Sequence, residues 1–313
     1  MMGASTSSAS AHTKPPIWMN VTSRELPGKG AANLGLFEHT ISGHHGELLR
    51  VIEKRISNKN AAEILICNQL EKATKIGHYQ ALGPLPMVYR VEPLKTHTSI
   101  YMQHYQGCGK RIDDPRLYGE YLANSLRDLA LTKLKLRAPN ASLIETCDAL
   151  RIVALSKPSL QQADYLKLHA KVIALSAQLI YPALDLPVVV SHNDLRKDNI
   201  CMCQAKKTKR AKFIDVGLMA PNFAGADLRH LLRRSIKNDY WSQAYASALH
   251  NYALLMDCNP RLLSVSAHIY AMLKWLKVIK LAIEDQNHQD AIHEMYLQGV
   301  ELYTSAKALR RHL

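Results

Sequence analysis

The sequence predicts an α+β protein that begins with a small antiparallel sheet and continues as a helix-rich part. Two observations indicate this order. Strand-like runs bounded by turn residues are concentrated in the first third of the chain. After residue 114, apolar residues recur with helical spacing. A break at Gly107 and Gly109 separates the two parts.

The sheet is predicted from five strand-like runs. The turn-rich sequences PGKGAANLG and SGHHGE separate the first three runs, which is the pattern of strands joined by short loops. One helix follows the third run, with Asn60 in the N-cap position and Glu63 three residues later. The runs span residues 17–26, 36–42, 48–57, 87–92 and 98–105.

The helix-rich part is predicted from leucine spacing and from three apolar stripes. Leu122, Leu126 and Leu129 share one helical face. A second long helix is expected to end before Pro182, because proline lacks the N–H group that the helix would use. A β-prone run, LPVVVSH, then precedes the stripes at 242–256, 262–283 and 290–309.

The charge of the chain favours anionic partners. The formal net charge is +14, with 15 histidines in addition. A generally solubilising surface is the alternative explanation. No zinc-finger spacing or aromatic-rich RNA-binding signature accompanies the charge, so no specific nucleic-acid partner is expected.

Cellular location is predicted from what the sequence lacks. No apolar run is long enough for a membrane span. The first 15 residues are small and polar, without the basic start and apolar centre of a secretory signal. We therefore expect a reducing, cytoplasmic location, and the sequence leaves the oligomeric state open.

The cysteines are predicted to be reduced. Six are present, and their spacing suggests no disulfide framework. Cys201 and Cys203 form a lone C-x-C, which would place both side chains on one face of a strand and could serve a metal. No further ligand pair with suitable spacing is evident, so buried thiols are the favoured interpretation.

The chemistry is concentrated in SHNDLRKDNI and KFIDVGL. Asp194 lies five residues before Asn199, and Asp215 follows sixteen residues later at the end of a β-prone run. Phosphoryl transfer from a nucleotide needs a carboxylate that orients or deprotonates the acceptor hydroxyl, and oxygen ligands for Mg²⁺. Asp194 suits the first task, and Asn199 and Asp215 suit the second.

With these residues the sequence resembles the aminoglycoside phosphotransferase and choline kinase superfamily, a branch of the protein-kinase-like fold. The H-x-D-x-x-x-x-N pattern of that superfamily is matched by His192, Asp194 and Asn199. Its metal-binding aspartate is matched by Asp215, and the aspartate that stabilises its catalytic loop by Asp227. The resemblance implies an ATP- and Mg²⁺-dependent kinase in which Asp194 is the base and His192 and Asp227 give structural support.

The resemblance also implies a two-lobed domain organisation. We expect a disordered tail over residues 1–15, a nucleotide-binding lobe over 16–106 and a catalytic and acceptor-binding lobe over 107–313. The nucleotide would lie in the cleft between the lobes. The sequence leaves the choice between ATP and GTP open.

In the first lobe, glycines and one lysine are candidates for binding the nucleotide phosphates. Gly28, Gly30 and Gly35 would lie in a loop between two strands, where backbone N–H groups could approach phosphate. Lys54 lies in the third strand, as the phosphate-binding lysine of kinases does. Glu63 could pair with Lys54 or act in a capping box with Asn60, and the sequence does not decide between these roles.

The link between the lobes is the candidate adenine-binding hinge. In the resembled fold, backbone groups at this place contact the base. The corresponding residues in this sequence are Gln103, His104 and Tyr105.

Three departures from the resembled pattern narrow the function. Only eleven residues separate Asp215 from Asp227, and no A-P-E motif follows, which disfavours a protein acceptor. Val216 and Gly217 stand where many members carry tryptophan and an acid. The segment after Asp227, where the resembled family binds its acceptor, is rich in basic residues, among them Arg229 and Arg233. A cationic acceptor would be expected to meet acidic residues instead.

The prediction is therefore an ATP:alcohol phosphotransferase that acts on a small anionic acceptor, such as a phosphorylated sugar or a glycolipid core. Arg229 and Arg233 are the candidate acceptor-binding residues. A catalytically silent pseudokinase that acts as a binding module is one alternative. An atypical protein kinase is the other.

Overall fold

The chain forms two compact units. The first comprises the chain as far as Lys59 together with Val88–His104, and the second comprises Asn60–Met87 and the chain from Tyr105 onwards. The lobe boundary expected between residues 106 and 107 stays a prediction. The structure, a computed structural model, describes residues 20–27, 33–42, 48–78, 82–136, 163–202, 208–284 and 289–312. The expected disordered tail lies outside these residues.

The first unit is a five-stranded antiparallel sheet with the strand order β1-β2-β3-β5-β4. The prediction of an antiparallel N-terminal sheet is confirmed. Its strands are β1 (Asn20–Glu25), β2 (Asn33–Ser42), β3 (Leu48–Ile56), β4 (Val88–Pro93) and β5 (Thr98–Gln103).

A buried carboxylate connects three strands of this sheet. Glu53 of β3 accepts hydrogen bonds from Ser99 Oγ at 2.8 Å and Arg55 Nε at 2.7 Å, and His39 Nε2 lies 2.9 Å from its second oxygen. Burial raises the pKa of Glu53, but these hydrogen bonds and the Arg55 charge outweigh it and lower the pKa overall. The carboxylate therefore stays charged and holds β2, β3 and β5 in register.

The expectation that Gly35 lies in a loop is wrong. Gly35 belongs to β2, opposite Arg55 and beside an irregularity in the register at Asn33. A Cβ atom at this position would lie 2.7 Å from the ring of Phe37. Gly35 is therefore needed for close packing within the strand. The other two glycines of the predicted phosphate loop, Gly28 and Gly30, lie outside the described residues.

The second unit is helix-rich, as predicted. Seven α-helices occur among its described residues, together with four short strands. No helix in the described part of the chain is long and apolar enough to cross a membrane. The helices are α1 (Ala61–Lys75), α2 (Pro115–Ala130), α3 (Ala163–Ala183), α4 (Arg229–Ser235), α5 (Asp239–Met256), α6 (Pro260–Glu284) and α7 (Gln289–Arg310).

Helix α3 does not end before Pro182, as the sequence suggested. It continues to Ala183, so that Pro182 occupies its last turn. Only one helical residue follows Pro182, so the distortion that its ring causes displaces little of the helix. The side chain of Ala183 is fully buried, so packing favours the extra residues.

Helices α2 and α5 approach each other closely at a glycine. Helix α2 begins at Pro115, where the Asp114 side chain accepts a hydrogen bond from the Arg116 N–H at 2.7 Å. One turn further on, a Cβ atom at Gly119 would meet the backbone oxygen of Ala244 and lie 2.7 Å from the backbone nitrogen of Ala248. Gly119 is therefore required for this helix–helix contact.

One disulfide bond corrects the prediction that the cysteines are reduced. Cys108 and Cys201 are bonded, and they face each other in an isolated antiparallel bridge with their Cα atoms 3.9 Å apart. They are separated by 93 residues, so their spacing along the sequence could not reveal the pair. The bond removes Cys201 as a metal ligand, and Cys203 lies outside the described residues.

Replacement of Gly119 by alanine should destabilise the protein. Glycine to alanine in an open helix stabilises by about 0.5–1 kcal/mol, but the added methyl group here meets backbone atoms of α5, so we expect a net loss of about 1–3 kcal/mol. Denaturant unfolding measures the change. Ala246→Gly, at an exposed position of α5, is the control. It should lower the free energy of unfolding only by the difference in helix propensity between alanine and glycine, about 1 kcal/mol. A Gly119→Ala variant more stable than the wild type would contradict the close contact.

Candidate active site

Two small antiparallel strand pairs position the loop of residues 192–199, which carries the H-x-D-x-x-x-x-N motif. Strand β6 (Val188–Ser191) pairs with β9 (Ala220–Phe223), and β7 (Ile200–Cys201) pairs with β8 (Lys212–Phe213). The loop connects β6 to β7 and ends in a 3-10 turn over Lys197–Asn199. We refer to it as the catalytic loop. Each of its ends is therefore fixed by a strand that is paired elsewhere.

Asp227 holds the start of the catalytic loop. Its two carboxylate oxygens accept hydrogen bonds from the backbone N–H of His192 at 2.8 Å and of Asn193 at 2.7 Å. Asp227 is buried, so these charge-assisted bonds form in a medium of low dielectric constant. Asn193 has a positive φ of 65°, which the two bonds help to maintain.

The position of Asp227 depends on Gly225. This glycine has a φ of 92°, and a Cβ atom there would lie 2.5 Å from the backbone oxygen of Leu263 in α6. The chain can therefore turn against α6 only with glycine at this position. A 3-10 turn over Ala226–Leu228 follows at once and directs Asp227 towards the loop.

His192 is a buried link between the catalytic loop and the segment after β8. Its ring Nε2 donates to the Ile214 carbonyl oxygen at 2.9 Å, and its Nδ1 accepts from the Asp194 N–H at 3.3 Å. Burial lowers the pKa of His192, against the opposing charge of Asp227. The imidazole is therefore neutral, and both ring nitrogens are occupied by backbone groups, which supports a structural role.

The two oxygens of the Asp194 carboxylate have different surroundings. Oδ2 accepts hydrogen bonds from Arg196 Nε at 3.1 Å and from Asn199 Nδ2 at 3.2 Å. Oδ1 faces His230, whose Nε2 is 3.7 Å away and so beyond hydrogen-bonding distance. One oxygen thus fixes the carboxylate within the loop, and the other is directed towards α4.

Asn199 and Asp215 carry oxygen atoms of the kind that Mg²⁺ prefers, and they are the residues that could hold it. The Nδ2 group of Asn199 donates to the Asp194 backbone oxygen at 2.8 Å, which leaves Oδ1 as the atom for a metal. The backbone oxygen of Asn199 accepts from Ile214 N–H at 3.0 Å, so Asp215 directly follows a residue bonded to Asn199. No cluster of three or more His, Cys, Asp or Glu side chains suited to a metal occurs among the described residues. Mg²⁺ needs none, since it takes one or two protein oxygens together with water and substrate phosphates.

Asp215 has an unusual backbone conformation. Its φ of 63° and ψ of 64° lie in the left-handed region, which aspartate tolerates better than most residues. A 3-10 turn over Val216–Leu218 follows it directly. Such a conformation in a non-glycine residue often marks a functional site, where the surrounding structure maintains it.

Gly217 lies against the carboxylate of Glu63, a contact that the sequence did not predict. A Cβ atom at Gly217 would lie 2.9 Å from Glu63 Oε2, so the glycine allows α1 to approach the turn after Asp215. Asn60 donates to the same Glu63 oxygen through its side-chain Nδ2 at 2.9 Å, but it makes no side-chain cap to α1. The predicted capping box is therefore not formed, and the pairing of Glu63 with Lys54 stays a prediction.

A cavity of about 340 Å³ lies beside the catalytic loop, within the second unit. Arg196 and His230, which both approach the Asp194 carboxylate, belong to its lining. Trp275 of α6 forms part of the wall. Its other basic lining residues are Arg233, Arg234 and Lys237, and its acidic ones are Asp198, Glu294 and Glu301.

The basic residues of the cavity differ in how their charge is balanced. Lys237 Nζ lies 3.5 Å from Glu301, and the Arg234 guanidinium lies 4.9 Å from the centre of the Trp241 ring. Arg233 donates to the neutral amide of Gln298 at 2.8 Å. Among the described residues no carboxylate forms an ion pair with Arg233, and burial lowers its pKa.

Arg229 is not among the residues that line this cavity in the described part of the chain, and its role in binding the acceptor stays a prediction. Its side chain is buried, and burial lowers its pKa against the opposing charges of Asp227 and Asp194. Helical spacing predicts that the two arginines share a face of α4, but it does not show how deeply each of them is buried.

The remaining predicted site residues belong to, or adjoin, the first unit. Lys54 is buried in β3, opposite Leu36. Gln103 is the last residue of β5. The backbone N–H of His104 donates a hydrogen bond to the backbone oxygen of Arg50 at 3.3 Å. The chain passes between the two units after His104.

Tyr105 is the first residue of the second unit after this passage. It is buried, and its hydroxyl oxygen accepts a hydrogen bond from the Met87 N–H at 3.3 Å. The roles of Gln103, His104 and Tyr105 in binding adenine stay predictions, because they depend on backbone groups and a ligand.

Comparison with solved structures identifies the fold. An aminoglycoside phosphotransferase from Alicyclobacillus acidocaldarius matches 97% of this chain and 98% of its own, with a TM-score of 0.60 and 12% identity. A choline/ethanolamine kinase family protein from Mesorhizobium loti matches 96% of this chain and 89% of its own, with a TM-score of 0.56 and 16% identity.

A third similar structure contains ligands. It is a thermostable mutant of an aminoglycoside phosphotransferase in a ternary complex with AMP-PNP and hygromycin B. It matches 91% of this chain and 95% of its own, with a TM-score of 0.61 and 14% identity. No protein-family model matches the sequence, and no curated protein does. The chain thus has the kinase-like α+β fold that aminoglycoside phosphotransferases and choline kinase relatives share, as the sequence predicted.

Proposed function

We propose that this protein transfers the γ-phosphate of ATP to a hydroxyl group of a small anionic molecule. The observation that carries the proposal is the placement of Asp194: one carboxylate oxygen is fixed in the catalytic loop, and the other faces the wall of a cavity that is rich in arginine. The shared fold supports phosphoryl transfer, and the similar structure with AMP-PNP supports a nucleotide ligand.

In the proposed reaction, the acceptor hydroxyl oxygen attacks the γ-phosphorus atom. The bond between that phosphorus and the bridging oxygen of ADP breaks, and its electron pair leaves with ADP. Asp194 orients the hydroxyl group and takes its proton. Asn199 and Asp215 would hold Mg²⁺, which neutralises phosphate charge when bound.

The first unit would contribute nucleotide contacts. Lys54 and the glycine-containing segment with Gly28 and Gly30 would bind phosphate oxygens. The backbone of residues 103–105 would contact adenine. Gly35 is better explained as a packing residue of β2.

A small acceptor is favoured over a protein by the segment between Asp215 and Asp227. Its residues form the 3-10 turn Val216–Leu218 and strand β9, which is paired along its length with β6. Such a short, internally paired segment offers no extended platform for a peptide. The volume of the cavity, about 340 Å³, suits a small molecule.

An anionic acceptor is favoured by Arg233. Arg233 is half-buried, and partial burial of a cation without a carboxylate partner is unfavourable, so an anion from the ligand would supply the missing charge. Three acidic residues also line the cavity, but Glu301 is already paired with Lys237. The positive charge of the whole chain, +14, would help to attract such an acceptor.

Mg–ATP should raise the thermal midpoint of the wild type, and Asp215→Asn should abolish most of that rise. Ligand at about 100 times its dissociation constant adds about 2.7 kcal/mol of stability. Asparagine tolerates the left-handed conformation of Asp215, so the variant removes charge without adding backbone strain. Asp257→Asn is the control, because Asp257 follows α5 and also has a left-handed backbone conformation. Mg–ATP should raise the thermal midpoint of this variant as much as that of the wild type.

The same measurement distinguishes the alternatives. Mg–GTP tested in parallel decides the nucleotide preference. No rise of the wild-type midpoint at millimolar Mg–ATP would contradict the proposal and favour the pseudokinase. Labelled ATP added to a cell extract should place the label in small metabolites, whereas label in protein would favour a protein kinase.

Arg233→Gln should impair use of an anionic acceptor. Loss of a buried charged contact should raise the KM for a sugar phosphate about 10–100-fold and leave the KM for ATP unchanged. Transfer from labelled ATP to a panel of hexose phosphates and their neutral sugars measures this. Lys237→Gln, whose charge is already balanced by Glu301, should have a smaller effect. Turnover of an aminoglycoside, with no turnover of any anionic candidate, would contradict the proposed acceptor class.

A further inference from the structure

His230 is a polar side chain near Asp194 to which the proposed mechanism assigns no role. It is the second residue of the short helix α4 and belongs to the lining of the cavity beside the catalytic loop. Its Nε2 atom is buried and has no hydrogen-bond partner among the described residues. Buried polar atoms without a partner are uncommon in folded proteins, so this atom calls for a specific explanation.

The atom opposite His230 Nε2 is the Oδ1 atom of Asp194. The two lie 3.7 Å apart, which is too far for a direct hydrogen bond. The other carboxylate oxygen is held by Arg196 and Asn199, so the orientation of Asp194 is fixed. A single oxygen atom placed beside the pair could form a hydrogen bond with each of them.

An ion pair does not explain the contact. Burial, together with nearby positive charges, lowers the pKa of His230 to about 2. The imidazole is therefore neutral near pH 7 and offers an N–H donor or a lone pair, but no positive charge. The charged groups that act on it are Arg196, Arg229, Arg233 and Lys274, and Asp194 faces it.

We propose that His230 is an acceptor-binding residue whose Nε2–H donates a hydrogen bond to the oxygen of the reacting hydroxyl group. The inference rests on the proposed phosphotransferase function. The hydroxyl proton then points to Asp194 Oδ1. One lone pair of the oxygen accepts from His230, and the other attacks the γ-phosphorus atom.

This arrangement balances the transfer step. The new bond joins the acceptor oxygen to phosphorus, and the bond from phosphorus to the bridging oxygen breaks with its electrons on ADP. The proton of the hydroxyl passes to Asp194. His230 exchanges no proton and positions the oxygen by a hydrogen bond alone.

Water can serve as the acceptor in the test, because its oxygen can occupy the same place. The assay is release of labelled inorganic phosphate from γ-labelled ATP with Mg²⁺ and no added acceptor. His230→Leu removes the hydrogen bond, and His230→Gln places an amide N–H near the position of Nε2. Thermal midpoints with and without Mg–ATP are measured for each variant.

We expect His230→Leu to release phosphate about 10-fold more slowly, which corresponds to one lost hydrogen bond. Its KM for ATP should change by less than about twofold, since His230 does not contact the nucleotide in this scheme. Its thermal midpoint should equal or exceed that of the wild type, because leucine removes an unsatisfied buried polar atom. His230→Gln should stay within about threefold of the wild-type rate.

His268→Leu is the matched control. His268 is a buried histidine of α6 whose Nδ1 lies 2.8 Å from the Ser264 backbone oxygen and whose Nε2 lies 3.0 Å from Ser305 Oγ. Its loss should lower the thermal midpoint and leave the rate per folded molecule unchanged, the opposite of the His230→Leu pattern.

Three results would overturn the inference while the proposed function stands: an unchanged rate in His230→Leu, a slow rate accompanied by a lowered midpoint, or a His230→Gln variant as slow as His230→Leu. If the wild type neither binds Mg–ATP nor releases phosphate, the proposed function itself is contradicted, and the inference fails with it.

Discussion

The Asp227 carboxylate accepts two backbone hydrogen bonds from the start of the catalytic loop, and the geometry of the site follows from this contact. It fixes His192 and Asn193 in a conformation that includes a positive φ. His192 in turn connects the loop to the carbonyl group just before Asp215. The base candidate and the metal-ligand candidate are thereby held by a single buried network. In such networks each member supports the others, so the loss of one bond affects positions that it does not touch.

This network leaves one face of Asp194 directed towards the cavity. Arg196 and Asn199 hold one carboxylate oxygen, and His230 stands opposite the other. Burial, together with the surrounding positive charges, keeps the His230 imidazole neutral. Arg233 has no carboxylate partner among the described residues and donates to Gln298 instead. His230 is a neutral hydrogen-bond donor beside Asp194, and Arg233 is a cation without a carboxylate partner in the described part of the chain. This pair suits an acceptor that has a reacting hydroxyl group and a separate anionic group.

The sequence allowed prediction of the fold class and of the spacing of the central residues, because both depend on local pattern. The H-x-D-x-x-x-x-N motif lies within one loop, and the distance between Asp215 and Asp227 is short. Features that depend on distant contacts were not predictable. The pairing of Cys108 with Cys201 and the approach of Glu63 to Gly217 join residues far apart in sequence.

Local pattern also misled in two places, each for a physical reason. Gly35 belongs to β2 because that strand pairs with β3 along nearly its whole length, so the sheet includes a residue that the sequence assigned to a loop. Helix α3 includes Pro182 because only one helical residue, the buried Ala183, follows the proline, so its ring displaces little of the helix. The burial of Arg229 depends on the packing of α4, which helical spacing alone does not describe.

The most direct test of the account is the rate of phosphate transfer by Asp227→Asn. Asparagine has nearly the same shape, but it accepts with only one oxygen and carries no charge, so the two bonds to the loop are weakened. We expect phosphate release from ATP to fall at least about 10-fold while Mg–ATP still raises the thermal midpoint. A variant with the wild-type rate would contradict the claim that this contact organises a phosphotransferase site.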